Sequence, residues 1–159
     1  MQTFTVHPVG VVNGGGEGPA QLRIDPAYRD GLRGLEGFGH AVVTWWAHEV
    51  DDPELRALVD AARPYARLDH VIGIFATRSP MRSDPLAHTV IELAAVDADV
   101  GLVETPYLDA ADGTPVLDLK PYTPSIDRIE HPIVPAWCAH WPESAEASAD
   151  FDWPSEFRF

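Results

Sequence analysis

The sequence predicts a mostly β fold: a small single-domain β-barrel or sandwich with one or two short helices. Short stretches rich in β-branched and aromatic residues recur between turn signals. Fifteen prolines and twelve glycines interrupt any long helical pattern. No alternation of strands with long helices gives the rhythm of a parallel βαβ sheet. With 159 residues, 45% of them hydrophobic, the chain can bury one sizeable core.

Taken in order, Phe4 to Val12 reads as a strand broken near Pro8. The glycine-rich run from Asn13 to Gly18 follows. No helix opens at those glycines, since Pro19 leads into a short strand over Gln21 to Ile24, so the run reads as a flexible loop and not as a phosphate cradle. Asp25 and Pro26 supply a cap and first turn for a short helix over Ala27 to Leu32.

His40 to Val50 carries the clearest strand pattern. Ala41, Val43, Trp45 and Ala47 alternate with Val42, Thr44, Trp46 and His48, so one face builds core and the mixed face can line a cavity. Asp52 as N-cap, Pro53 at the first helical position and a stripe of Leu55, Leu58, Val59 and Ala62 predict a helix ended by Pro64. Val71 to Ala76 and His88 to Leu93 have strand composition and flank the polar loop Thr77 to Pro85. Two prolines stiffen that loop, and donors held on a stiff frame lose little entropy on binding a small polar ligand.

Val96 to Leu108 reads as one or two further strands, and Asp112 with Gly113 as a turn. Pro115 to Tyr122 alternates with Leu117 and Leu119 on one face and Val116, Asp118 and Lys120 on the other. Asp118 and Lys120 point the same way, to hold the two charges of an amino-acid moiety or to form an exposed pair. From Ser125 the chain is rich in turns. The tail Glu143 to Phe159 sets five acids against Arg158 but also carries aromatics, so it is expected to pack on the domain or on a partner subunit. The organisation is therefore a β domain over 1–142 and a tail over 143–159.

The formal charge is −14, from 25 acidic and 11 basic side chains, which is a poor start for a surface that must neutralise nucleic-acid phosphates. Cys138 stands alone, which excludes an internal disulfide and fits a reducing, cytoplasmic setting. No apolar run approaches membrane-spanning length, and the N-terminus lacks the features of a signal peptide. The sequence has no G-x-S-x-G, H-E-x-x-H, P-loop or C-x-x-C pattern. Cys138, His140 and His131 are the nearest set of metal-ligand types, but no second close pair supports them, and no metal is expected.

Three blocks together resemble a known family: GLRGLEGFGHAVVTWWAH at Gly31 to His48, GIFATRSPMRSDP at Gly73 to Pro85, and DGTPVLDLKPYTP at Asp112 to Pro124. In order and spacing they are similar to the TrmO or TsaA-like (YaeB) family of S-adenosylmethionine-dependent methyltransferases. The resemblance implies a small β-barrel that forms a homodimer and binds S-adenosylmethionine near the central loop. Family members methylate the exocyclic amine of a threonylcarbamoyl-modified adenosine beside the tRNA anticodon. By the same resemblance, the cofactor residues would be Thr77, Arg78, Ser79, Pro80 and Met81, with Asp112, Gly113, Thr114, Asp118, Lys120 and Tyr122. Arg78 or Lys120 would meet the cofactor carboxylate and Asp118 its ammonium. Methyl transfer then needs mainly alignment in a site that excludes water, and His40, His48 and Asp84 are the candidates if a general base acts.

The chain departs from the family where the usual RSPHRPNPIGLS reads RSPMRSDPLAHT. Asp84 in place of an amide adds negative charge, the wrong direction for a site facing phosphate. With the charge of the whole chain, this favours a small-molecule acceptor. The alternatives are the tRNA substrate of the family and a binding module that holds S-adenosylmethionine without turning it over.

Overall fold

The computed structural model describes residues 2–16 and 18–158. Strands dominate: β1 (Gly10–Gly14), β2 (Gly18–Ile24), β3 (His40–Trp46), β4 (Asp60–Ala62), β5 (Val71–Gly73), β6 (Leu86–Glu92), β7 (Ala95–Asp97), β8 (Leu102–Leu108) and β9 (Pro115–Pro121). Seven of them form one sheet in the order β6-β3-β9-β1-β2-β8-β7, while β4 and β5 pair separately. All the pairings are antiparallel. The sheet curls so that its first strand returns toward β8. Thr89 on β6 donates to Asp109, just past β8, at 2.6 Å and accepts the Trp45 indole N–H at 3.0 Å. The core lies inside this curl and includes Val12, Leu22, Val43, Ile91, Val103, Leu108 and Val116. Helices are single turns: α1 (Pro53–Arg56), α2 (Pro124–Asp127), α3 (Ala145–Ser148) and α4 (Trp153–Glu156).

The alternation read in β3 is present, with Ala41, Val43 and Trp45 buried and Val42, Thr44 and Trp46 half-buried on the other face. Other expectations are corrected. The first strand begins at Gly10, not Phe4, and Phe4 and Val6 stand exposed. Pro8 has no N–H to give a ladder, and β2 ends at Ile24, opposite Gly10. The helix expected over 27–32 is a 3₁₀ turn at Arg29–Leu32.

The helix expected over 53–62 stops after Arg56. Its cap forms as read, with Asp52 Oδ1 accepting the Glu54 N–H at 2.8 Å. Leu58 and Val59 meet no core, however, and are exposed. A helical stripe with nothing to pack against does not hold a helix, and residues 60–62 pair with β5 instead. The strand expected over 71–76 ends at Gly73, where Ile74–Ala76 makes a 3₁₀ turn into the polar loop.

The glycine run is an ordered turn among its described residues; Glu17 lies outside them. Gly15 N–H donates to Pro19 O at 3.0 Å and Gly16 N–H to Ala110 O at 2.9 Å. In β9 the pairing with β3 shifts between Thr44 opposite Asp118 and Trp45 opposite Val116. That bulge turns Val116 inward beside Leu119, against the simple alternation expected of the strand.

The C-terminal segment forms a second cluster; Phe159, at its end, lies outside the described residues. Tyr65 stacks on Trp137 at 4.8 Å, Trp141 meets Trp153 edge-on at 5.3 Å, and Trp153 stacks on Phe157 at 5.8 Å. The buried carboxylate of Glu156 contacts His140 Nε2 at 2.7 Å and accepts the Trp141 indole N–H at 3.2 Å. The His140 contact first, and the Trp141 bond after it, hold the Glu156 pKa below the usual glutamate value against the opposing effect of burial. A carboxylate whose pKa falls on folding adds stability above its unfolded pKa, and that stability is lost as pH falls through the folded value. Acidification through and below about pH 4 is therefore expected to change tryptophan fluorescence as the cluster loosens. The change should shrink in Glu156→Gln, and a wild-type signal flat to pH 2 would show that the pair does not hold the segment.

Candidate functional site

The outer face of β6, β3 and β9 carries the candidate site. Their register places His88 opposite Thr44 and Thr44 opposite Asp118, which makes one polar row across three strands. Thr44 Oγ1 and His88 Nδ1 are 3.1 Å apart. On either side of the row lie Val42, Val90, Trp46 and Leu86, and of these Leu86 and Val90 are exposed. Lys120, opposite Val42, forms an ion pair with Asp118. A shallow hollow of about 470 Å³ opens beside the β9 bulge, bordered by Asp118, Leu119, Tyr28, Arg33 and Phe38.

The central loop is held from two sides. Thr77 is buried; its N–H and hydroxyl both donate to Ile74 O, at 3.1 and 2.8 Å. Its hydroxyl accepts the Ser79 N–H, and the Ser79 hydroxyl accepts the Met81 N–H. Arg82 donates to the carbonyls of Thr77 at 2.6 Å, Ser79 at 2.8 Å and Ile74 at 3.1 Å, so its guanidinium is engaged by the loop itself. Arg56 holds the far end, donating to Ser83 O and pairing with Asp84 and Asp51, with its guanidinium 5.8 Å from the centre of the Trp46 ring. Arg78 keeps an exposed guanidinium and donates once, to His88 O on β6 at 3.1 Å.

The residues named from sequence fall into two groups. Asp118 and Lys120 lie on the three-strand face, Arg78 reaches it at His88 O, and Thr77, Ser79, Pro80 and Met81 belong to the loop that Arg82 holds. Tyr122 is at its His40 end, with the two rings edge-on at 6.4 Å. Asp112, Gly113 and Thr114 instead tie the start of β9 to β1: Asp112 Oδ1 accepts the Gly14 N–H at 2.9 Å, and Gly113 N–H donates to Val12 O at 2.8 Å. Thr114 is buried, with its hydroxyl 3.2 Å from His48 Nδ1. At a rise of about 3.3 Å per residue, Thr114 and Lys120 are roughly 20 Å apart along the strand.

The three base candidates are not brought together. His40 begins β3, His48 follows its end, and Asp84 is paired with Arg56 at 3.3 Å. The pairing also offsets the charge that Asp84 brings to the loop. Sequence reasoning missed Thr44 and His88 as partners, and Arg56 and Arg82 as the residues that hold the loop. The strand pattern marked Thr44 as outward-facing, but no local signal joins Arg56 to a loop 27 residues away.

The model of the tRNA-methyltransferase O N-terminal domain family matches residues 13–128. The chain belongs to this family. Over 109 residues it is 36% identical to a probable S-adenosyl-L-methionine-binding protein of Archaeoglobus fulgidus, covering 69% of this chain and 28% of that one. Over 126 residues it is 34% identical to the tRNA (adenine(37)-N6)-methyltransferase of Escherichia coli, covering 77% of this chain and 51% of the relative. The matches thus span about a quarter and about half of the length of these two relatives. The crystal structure of TrmO from Pseudomonas aeruginosa superposes with a TM-score of 0.63 at 24% identity, over 83% of this chain and 62% of that one, a likeness of fold. Residues 137–158, which build the aromatic cluster, lie outside the family match.

Among the described residues, no helix is long and apolar enough to cross a membrane, and no three His, Cys, Asp or Glu side chains gather to hold a metal ion. Cys138 donates to Pro135 O, and His140 is engaged by Glu156.

Proposed function

We propose that this chain is an S-adenosylmethionine-dependent methyltransferase that acts on an adenosine amine of tRNA. The family match over residues 13–128 carries the reading, and the name of the Escherichia coli relative supports the acceptor. The residues of the outer face suit the cofactor. Arg78 and Lys120 offer cations to a carboxylate, Asp118 a carboxylate to an ammonium, and Val42, Val90, Leu86 and Trp46 apolar surface to the nucleoside. When bound, the cofactor supplies a methyl group already activated on a sulfonium.

The part left to the protein is alignment and exclusion of water. The stapled loop serves the first by keeping Arg78 on a fixed backbone. In this reading the active form is a cytoplasmic homodimer, in which a second copy of the chain closes over the cofactor held against Leu86 and Val90 and serves the second. Because the methyl is already activated, no dedicated base is needed in this reading, and the proton of the methylated nitrogen passes to water; if a base does act, His40, His48 or Asp84 is the single residue that takes it. The net charge of −14 favours a second acceptor class, a small molecule.

Incubation with methyl-labelled S-adenosylmethionine and tRNA carrying the modified adenosine tests the proposal. Label in tRNA supports the first acceptor, label in a small-molecule fraction the second, and binding without transfer a non-catalytic module. Arg78→Ala and Lys120→Ala are each expected to weaken cofactor binding by about 1–3 kcal/mol, as for loss of a charge-assisted hydrogen bond. Unchanged affinity in both, measured by calorimetry, removes these residues from the site.

A further inference from the structure

The polar row on the outer face ends on β6 in His88, whose side chain is exposed. Its Nδ1 lies 3.1 Å from Oγ1 of the half-buried Thr44, so the hydroxyl fixes one side of the ring. Among the described residues this is the one hydrogen bond of the imidazole, and Nε2 is open to a ligand. The neighbouring pairs on the same face are Trp46 with Leu86 and Val42 with Val90, so the two polar side chains sit between apolar ones. Beyond Thr44 the row continues to Asp118, which pairs with Lys120. With strands about 4.8 Å apart, His88 lies roughly 10 Å from Asp118, with Thr44 between them. His88 O accepts the Arg78 guanidinium at 3.1 Å, which ties the backbone of His88 to the central loop.

We propose that His88, held by Thr44, binds the ribose diol of the cofactor. The inference rests on the reading of Asp118 and Lys120 as the residues that hold its amino-acid end. In S-adenosylmethionine the ribose is joined to that end through the sulfur and a short methylene chain. A cofactor anchored at Asp118 and laid across the row therefore carries its hydroxyls to β6. In either neutral tautomer of His88, one ring nitrogen engages Thr44 and the other is a donor or an acceptor, and a hydroxyl complements both. Once the cofactor lies between them, the apolar pairs on either side keep water from that bond, and Trp46 offers a ring to the adenine beyond the ribose.

Calorimetry with S-adenosylhomocysteine and its 2′-deoxy and 3′-deoxy forms, on the wild type and His88→Leu, tests the assignment. In the wild type, removal of at least one of the two hydroxyls is expected to raise the dissociation constant about fivefold, the scale of one hydrogen bond. His88→Leu should raise it about fivefold for the parent compound, and removal of the same hydroxyl should then cost nothing further. Because His88 is exposed, the thermal midpoint should stay close to that of the wild type. Thr44→Val removes the hydroxyl that holds the ring at nearly constant volume, and should weaken binding of the parent compound about twofold. The proposal is overturned if His88→Leu binds the parent compound as the wild type does, or if loss of each hydroxyl costs the same in both proteins. In those cases the cofactor reading stands and His88 alone leaves the site. If the wild type binds neither S-adenosylmethionine nor S-adenosylhomocysteine, the cofactor reading itself falls and the assignment with it.

Discussion

Arg82→Ala is expected to cost about 2–3 kcal/mol of stability and to lower the thermal midpoint by roughly 4–12 °C for a domain of this size. Its guanidinium is the single donor group shared by the carbonyls of Ile74, Thr77 and Ser79, which bracket the central loop. Alanine would leave the Thr77 carbonyl without its 2.6 Å partner and free the loop to sample other conformations. Arg82→Lys should recover only part of the loss, because an ammonium cannot match the fork that reaches three oxygens at once. If the loop is the cofactor site, S-adenosylmethionine affinity falls as well, although Arg82 itself need not touch the ligand. Thermal unfolding and calorimetry of the two variants check both statements. A midpoint within a degree of the wild type in Arg82→Ala would show that the loop holds itself without the staple.

Gly15→Ala is expected to destabilise the protein by about 3 kcal/mol or more. Gly15 has φ of +85°, and a Cβ built there would lie 2.2 Å from the Ala110 carbonyl oxygen. The clash is with backbone, so no rotamer relieves it. Relief requires the β1–β2 turn to move away from the segment after β8, which would strain the neighbouring Gly16 N–H bond to Ala110 O. Gly16→Ala, with positive φ but open space around it, should cost less, of the order of 1–2 kcal/mol. Denaturant unfolding of the pair measures the difference, and equal losses would mean that backbone conformation alone, not the close approach, sets the requirement.

These two sites show how much of the molecule was legible in advance. The run from Asn13 to Gly18 announces a turn, but it reads as a flexible one because the Ala110 carbonyl that the turn approaches is about a hundred residues away in sequence. Of the two loop arginines, the sequence reading singles out Arg78 and passes over Arg82. The structure separates them, since the guanidinium of Arg82 lies among loop carbonyls and that of Arg78 is exposed at the edge of β6. The Asp52 cap was legible because a cap is decided within a few residues, whereas the length of its helix depended on whether Leu58 and Val59 met a core.

The candidate site divides in the same way. Asp118 and Lys120 were legible as a pair because residues two apart on a strand share a face, and they do pair. Asp112 and Thr114 belong to the same block, but their backbone and hydroxyl partners are on β1 and at His48, and their positions are those of a strand anchor. Asp84 adds a carboxylate to the loop, and its charge is offset by Arg56 from α1, a partner that no spacing rule connects to it.

The sequence by itself determined the mostly β character, the family, the stiff polar loop and a two-faced strand starting at His40, read on to Val50 where the strand ends at Trp46, because each depends on patterns spanning a few residues or on motifs kept in order. The tertiary structure decided which arginine is exposed at the strand edge, which carboxylate is neutralised, where Val116 turns inward at the bulge, and that the C-terminal aromatics close over Tyr65. All four are settled by partners from distant parts of the chain, and burial and charge pairing act on neighbours in space whatever their separation in sequence.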